Sequence, residues 1–103
     1  MIKMEKYQIL VTSKGNIEGI VRDHKNFQKG NVLYIPNLEM NYLDQAINSC
    51  GIVSPKGGIT AHMSTVCREY NIPVIVCKQA QSFIDKYIKF EGDEFYVYDK
   101  CKF

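Results

Sequence analysis

GIVSPKGGITAHMSTVCREYNIPVIVC, residues 51–77, decides how the chain is read. It opens with a brief apolar strand signal, GIVS, crosses a loop holding one proline and two glycines, and closes on IPVIVC, a continuous apolar run of strand length. Between them Met63, Val66, Cys67 and Tyr70 recur at spacings of 3, 4 and 7, which predicts a helix over about 61–70 with those four as its buried stripe. Thr60 is placed to be the N-cap, its hydroxyl accepting from a first-turn amide, with Ala61, His62 and Met63 as the first helical residues. Asn71 suits a left-handed cap, and Ile72 before Pro73 is pushed into extended backbone. With the stripe turned inward, His62 lies on the exposed rim.

Working outward, YQILVT (7–12) is rich in strand formers and ends at the turn signal SKGN; IEGIVR (17–22) is a second strand and NVLYIP (31–36) a third, ended by its proline. The period then changes. Leu43, Ala46, Ile47 and Cys50 follow helical spacing, with Asn41 available as a cap and Gly51 to close the helix. QSFIDKYI fits a short helix or a strand, and KFEGDEFYVYD reads as a turn followed by a strand in which Phe95 and Val97 alternate with Tyr96 and Tyr98. Alternating strands and helices from residue 31 to 77, with strands at both ends, predict an α/β domain: a mixed or barrel-like sheet covered by helices.

The 103 residues suit one domain, residues 1–103, able to bury roughly 65% of its unfolded surface. At 46% apolar and 23% charged the composition is that of a soluble protein, and a net charge of +2 gives no footing for nucleic acid or an anionic membrane as partner. Lys14, Arg22, Lys25 and Lys29 cluster but are interleaved with Glu18 and Asp23, as on a solvated surface. No signal-peptide or membrane-spanning run is present, so a cytoplasmic location is expected. Cys50, Cys67, Cys77 and Cys101 form no CxxC or CxxH pair, two of them sit in apolar patterns, and no metal site is expected.

His62 is one of two histidines. A helix N-terminus presents unpaired N–H groups and a positive dipole end, which attract phosphate and disfavour a cationic imidazolium. Gly57 and Gly58 add amides with no side chain in the way. A neutral imidazole there is a nucleophile, and a phosphoryl group placed on it brings negative charge to a site suited to it. Each feature alone has a plainer reading: lone histidines are mostly surface or structural, double glycines are common in turns, an N-cap threonine needs no function, and His24 lies in a polar loop.

The combined pattern closely resembles the phosphoenolpyruvate-utilising enzyme mobile domain, the swivelling phosphohistidine domain of pyruvate phosphate dikinase and phosphoenolpyruvate synthase. The matching residues are Gly51-Ile52-Val53, Gly57-Gly58-Ile59-Thr60-Ala61-His62, Arg68, Ile72-Pro73 and Val74-Ile75-Val76; Gly15, Gly19, NVLYIP and EGDEFYVYD extend the likeness over most of the chain. Ala61 stands where serine is usual, and Cys67 where alanine precedes the arginine. The resemblance implies a swivelling β/β/α fold with His62 as the phosphorylated residue and Thr60, Gly57, Gly58, Ala61 and Arg68 around the phosphoryl group. It implies no cofactor on this chain itself. ATP and Mg are expected on an ATP-grasp-type nucleotide-binding partner, and the acceptor on a phosphoenolpyruvate/pyruvate-binding barrel or another acceptor site. The alternative is a docking or regulatory module that keeps the fold and anion site without transferring phosphate. A free-standing enzyme, or a metal site joining His62 and Cys67, is the third.

Overall fold

The computed structural model describes residues 2–3 and 7–98. In chain order its elements are β1 (Ile2–Lys3), β2 (Leu10–Ser13), β3 (Ile17–Asp23), β4 (Val32–Tyr34), α1 (Leu43–Ile47), β5 (Gly51–Ser54), α2 (His62–Glu69), β6 (Val74–Val76), β7 (Tyr87–Glu91) and β8 (Glu94–Tyr98), with 3₁₀ turns at Met40–Tyr42 and Ala80–Phe83. The sheet order is β1-β8-β7-β3-β4-β5-β6-β2. Strands β3 to β6 are mutually parallel, and the pairings outside them are antiparallel. Parallel neighbours need a crossover; α1 supplies it between β4 and β5, and α2 between β5 and β6. β3 turns the corner: Ile17–Ile20 pair with β7, Val21–Asp23 with β4.

The continuous apolar runs are explained by burial on both faces. Leu33, Ile35, Ile52 and Val74 pack toward the helices against Ala46, Met63, Cys67 and Ile72. The alternate residues Val32, Tyr34, Val53 and Ile75 face the other way, onto Phe83, Ile88, Phe90 and Val97 of the β7–β8 side. The result is three layers, hairpin sheet, parallel sheet and helices, as the expected β/β/α architecture requires. QSFIDKYI divides between the two states it fits: its first part is the 3₁₀ turn that sends Phe83 into the core, its end enters β7. Phe83 meets Tyr7 edge-on at 5.0 Å and Phe95 at 5.4 Å.

Several local expectations are corrected. The first helix enters through the 3₁₀ turn, so Asn41 does not cap it, and it ends at Ile47, which is exposed. Gly51 does not close that helix. It is the first residue of β5, where a Cβ would come within 2.7 Å of Ile17 Cγ1. In α2 the buried residues are Met63, Ser64 and Cys67; Val66 is half-buried and Tyr70 exposed. The cause is the helix end. Asn71 takes φ +59° as foreseen, the Ile72 N–H donates to the Cys67 carbonyl (2.9 Å) and the Asn71 N–H to the Arg68 carbonyl (3.3 Å). This Schellman arrangement swings Tyr70 outward and gives the buried place to Ile72. Among the cluster of cations, Arg22 is paired with Asp85 at 2.6 Å. His24 is more than solvated loop: it packs on Tyr42 at 5.1 Å, and its carbonyl accepts from Gln45. Cys101 lies outside the described residues.

Cys67 is completely buried, and burial pushes its thiol from 9.0 up to about 11, against a smaller opposing effect of the Arg68 guanidinium. The folded chain thus holds this proton more tightly than the unfolded chain does. Its contribution to stability is complete below pH 9 and is lost as pH rises through about 11. Urea midpoints are expected to fall across that window, less steeply in Cys67→Val. An equal slope in the variant would show that the buried thiol contributes nothing to it.

Candidate functional site

The site grows from the C-terminal end of β5, among the carboxyl ends of the parallel strands, where open α/β sheets bind ligands. Ser54 folds the exit tightly: its Oγ donates to the Lys56 carbonyl (2.8 Å) and accepts from the Lys56 N–H (3.3 Å). Gly57 follows at φ +140°, and a Cβ there would lie 2.4 Å from Leu38 Cδ1. Backbone and packing both demand glycine. Gly58 is different. Its φ is ordinary, and nothing lies within 4 Å of where its Cβ would be. The fold does not need a glycine there, and the space over its backbone is open.

The Gly58 carbonyl accepts from the Ala61 N–H (3.1 Å), closing a turn over residues 58–61, and the Ala61 carbonyl accepts the first helical bond from Thr65 (3.2 Å). Ala61, not Thr60, is therefore the N-cap, with φ −58° and ψ 138°. The turn consumes Thr60, whose exposed hydroxyl has no partner among the described residues. His62 becomes the first helical residue and is exposed. An alanine N-cap offers no side-chain oxygen, and no side chain caps α2. The amides of residues 62–64, at the positive end of the helix dipole, precede the first helical bond.

Ser64 is a site residue that the helical pattern hides, because it occupies a stripe position as a polar residue. Fully buried, it donates from Oγ to the Gly58 carbonyl (2.8 Å). Thr12 Oγ1 lies 3.2 Å from Ser64 Oγ, and the Thr12 hydroxyl proton can complete the link. The loop is thereby tied to α2 and to β2. Leu38, which fixes Gly57, carries no sequence signal of that role.

Gly57, Gly58, Thr60, Ala61 and His62 thus form one continuous loop and helix entrance. Arg68 lies six residues further, about 9 Å along the axis. Its guanidinium donates to the Thr12 carbonyl (2.8 Å) and to Thr65 Oγ1 (3.1 Å). Five N–H donors are not exhausted by these two bonds. Cys67 is buried beneath the helix while His62 is exposed, so the structure does not bring those two together. Among the described residues no three His, Cys, Asp or Glu side chains form a group suited to a metal ion, and no helix is long and apolar enough to cross a membrane.

The family model "PEP-utilising enzyme, mobile domain" matches residues 27–94, well over half of the chain. No curated protein matches. Ten solved chains do. One is described as "N-terminal domain of Enzyme 1 - Nitrogen", 17% identical with a TM-score of 0.58 over 70% of this chain and 33% of that one. At that identity the likeness concerns the fold, and this chain spans about a third of that structure's length.

Proposed function

The chain belongs to the PEP-utilising enzyme mobile domain family, and on that footing we propose that His62 carries a phosphoryl group between two partner sites. The observation that carries this reading is the position of His62, an exposed imidazole on the first residue of a helix whose N-terminus no side chain caps. A lone pair on an imidazole nitrogen attacks the donor phosphorus. The P–N bond forms as the bond to the leaving oxygen breaks, and that electron pair departs with the donor. In the second step an acceptor nucleophile takes the phosphoryl group and the imidazole regains its lone pair.

Positioning and charge stabilisation are what the protein can add to such a transfer. In this reading Gly57 and Ala61 hold the loop in shape, and the open backbone at Gly58 admits the phosphoryl oxygens. The Thr60 hydroxyl and the first-turn amides donate to them, and Arg68 adds positive charge from further along α2. The donor is ATP with Mg on a nucleotide-binding partner of ATP-grasp type, and the acceptor site is of phosphoenolpyruvate/pyruvate type. The test supplies the chain with radiolabelled ATP or phosphoenolpyruvate and extract of its native host. Incorporated label should be acid-labile and alkali-stable and map to His62. Label that maps elsewhere would end this reading.

A further inference from the structure

Two grooves adjoin the loop that delivers His62. One, about 600 Å³, holds Lys56 and Lys78 beside Leu10; the other, about 400 Å³, holds Lys14 and Arg68 beside Ile59. They are joined through β2 and through the loop immediately before His62. Neither contains an Asp or Glu, although the whole chain balances 13 basic residues against 11 acidic ones. Elsewhere two cations are matched, Arg22 with Asp85 and Lys89 with Glu91, while Lys25, Lys29 and Lys86 stand singly on the surface without a carboxylate among the described residues. What sets the grooves apart is the grouping of four cations around one loop. Among the described residues none of the four groove cations meets a carboxylate; Arg68 bonds only to a carbonyl and a hydroxyl. Leu10 and Ile59 are 41% and 53% exposed between these charges.

Resting on the carrier reading above, we infer that this surface docks an acidic face of the protein that phosphorylates His62, carboxylates meeting the four cations and apolar cups meeting Leu10 and Ile59. An apolar centre with a charged rim is the ordinary anatomy of a transient interface. The balance of charge suits a shuttle. Opposite charges speed encounter and fix orientation more than they raise affinity, so the carrier can leave again. At physiological salt the Debye length is about 8 Å, so cations set along the loop act at the short range where the imidazole must be aligned.

The test compares the intact chain with Lys56→Glu/Lys78→Glu and with Lys25→Glu/Lys29→Glu, an equal charge change at residues lining neither groove. Circular dichroism confirms the fold of each. Two rates are read: phosphorylation by host extract with labelled ATP or phosphoenolpyruvate at low and high salt, and direct phosphorylation by phosphoramidate, which needs no protein donor. The groove variant is expected to be roughly tenfold or more slower with extract, in a salt-dependent way. Its phosphoramidate rate and both rates of the other variant should be unchanged. Equal extract rates for parent and groove variant would overturn the docking surface alone. An equal loss with phosphoramidate would overturn it too, showing that the lysines serve the small phosphate donor itself. A parent chain that extract never labels would overturn the carrier reading, and the docking surface with it.

Discussion

Replacing His62 by alanine is expected to abolish phosphoryl incorporation, a loss of at least about a thousandfold in any complete transfer system, while stability stays within about 0.5 kcal/mol of the parent. The separation follows from geometry. His62 is exposed, and the packing of α2 rests on Met63, Ser64, Cys67 and, beyond its C-cap, Ile72. Neither the other histidine nor the thiol beneath the helix is placed to substitute for it. His24 is packed on Tyr42, with Nε2 3.7 Å from Asp23, and Cys67 is a buried thiol raised to about 11 by its surroundings. Transfer rates and urea midpoints measured on the same preparations check both halves. Transfer that persists in a folded His62→Ala chain would remove His62 from the chemistry.

The two adjacent glycines should behave in opposite ways. At Gly57 a methyl group would lie 2.4 Å from Leu38 Cδ1 on backbone at φ +140°. Overpacking and backbone strain together predict that Gly57→Ala costs about 2–4 kcal/mol. Relief by moving the loop displaces His62, and a shift of about 1 Å is enough to slow transfer roughly a hundredfold. Adding Leu38→Ala should recover part of the stability, since it makes room but leaves the backbone strained. Gly58→Ala meets nothing and has no unusual φ, so its stability should change by less than about 1 kcal/mol. Its transfer rate should nevertheless fall, because the methyl group stands where phosphoryl oxygens are to approach. Denaturation curves and transfer rates for the four chains separate these effects. A Gly58→Ala chain that transfers at the parent rate would show that the open backbone is not used.

The layers were legible because their cause is local. Apolar runs such as NVLYIP and IPVIVC become two-sided buried strands, and the period changes where the chain crosses over. His62 was legible for the same reason: glycines, helix start and proline stop lie within one continuous stretch. What escaped depends on distant parts of the chain. That Gly57 is fixed by Leu38, or that Ser64 and Arg68 tie α2 to Thr12, requires β2 and the segment that follows β4 to be in place beside this loop and helix first. The N-cap moved from Thr60 to Ala61 because a tight turn from Gly58 used one more residue than spacing alone suggests. Tyr70 left the stripe because the left-handed Asn71 turned the chain before it could reach the core.

The most direct test is the intact mass, at neutral pH, of the protein purified from its native host, beside His62→Ala prepared identically. Acid is avoided because a phosphorus–nitrogen bond hydrolyses in it. A carrier should show a fraction heavier by one phosphoryl group, absent from the variant and removed by acid. An unshifted mass in every preparation, even after incubation with ATP or phosphoenolpyruvate and host extract, would contradict the carrier role and leave a fold that docks without transferring.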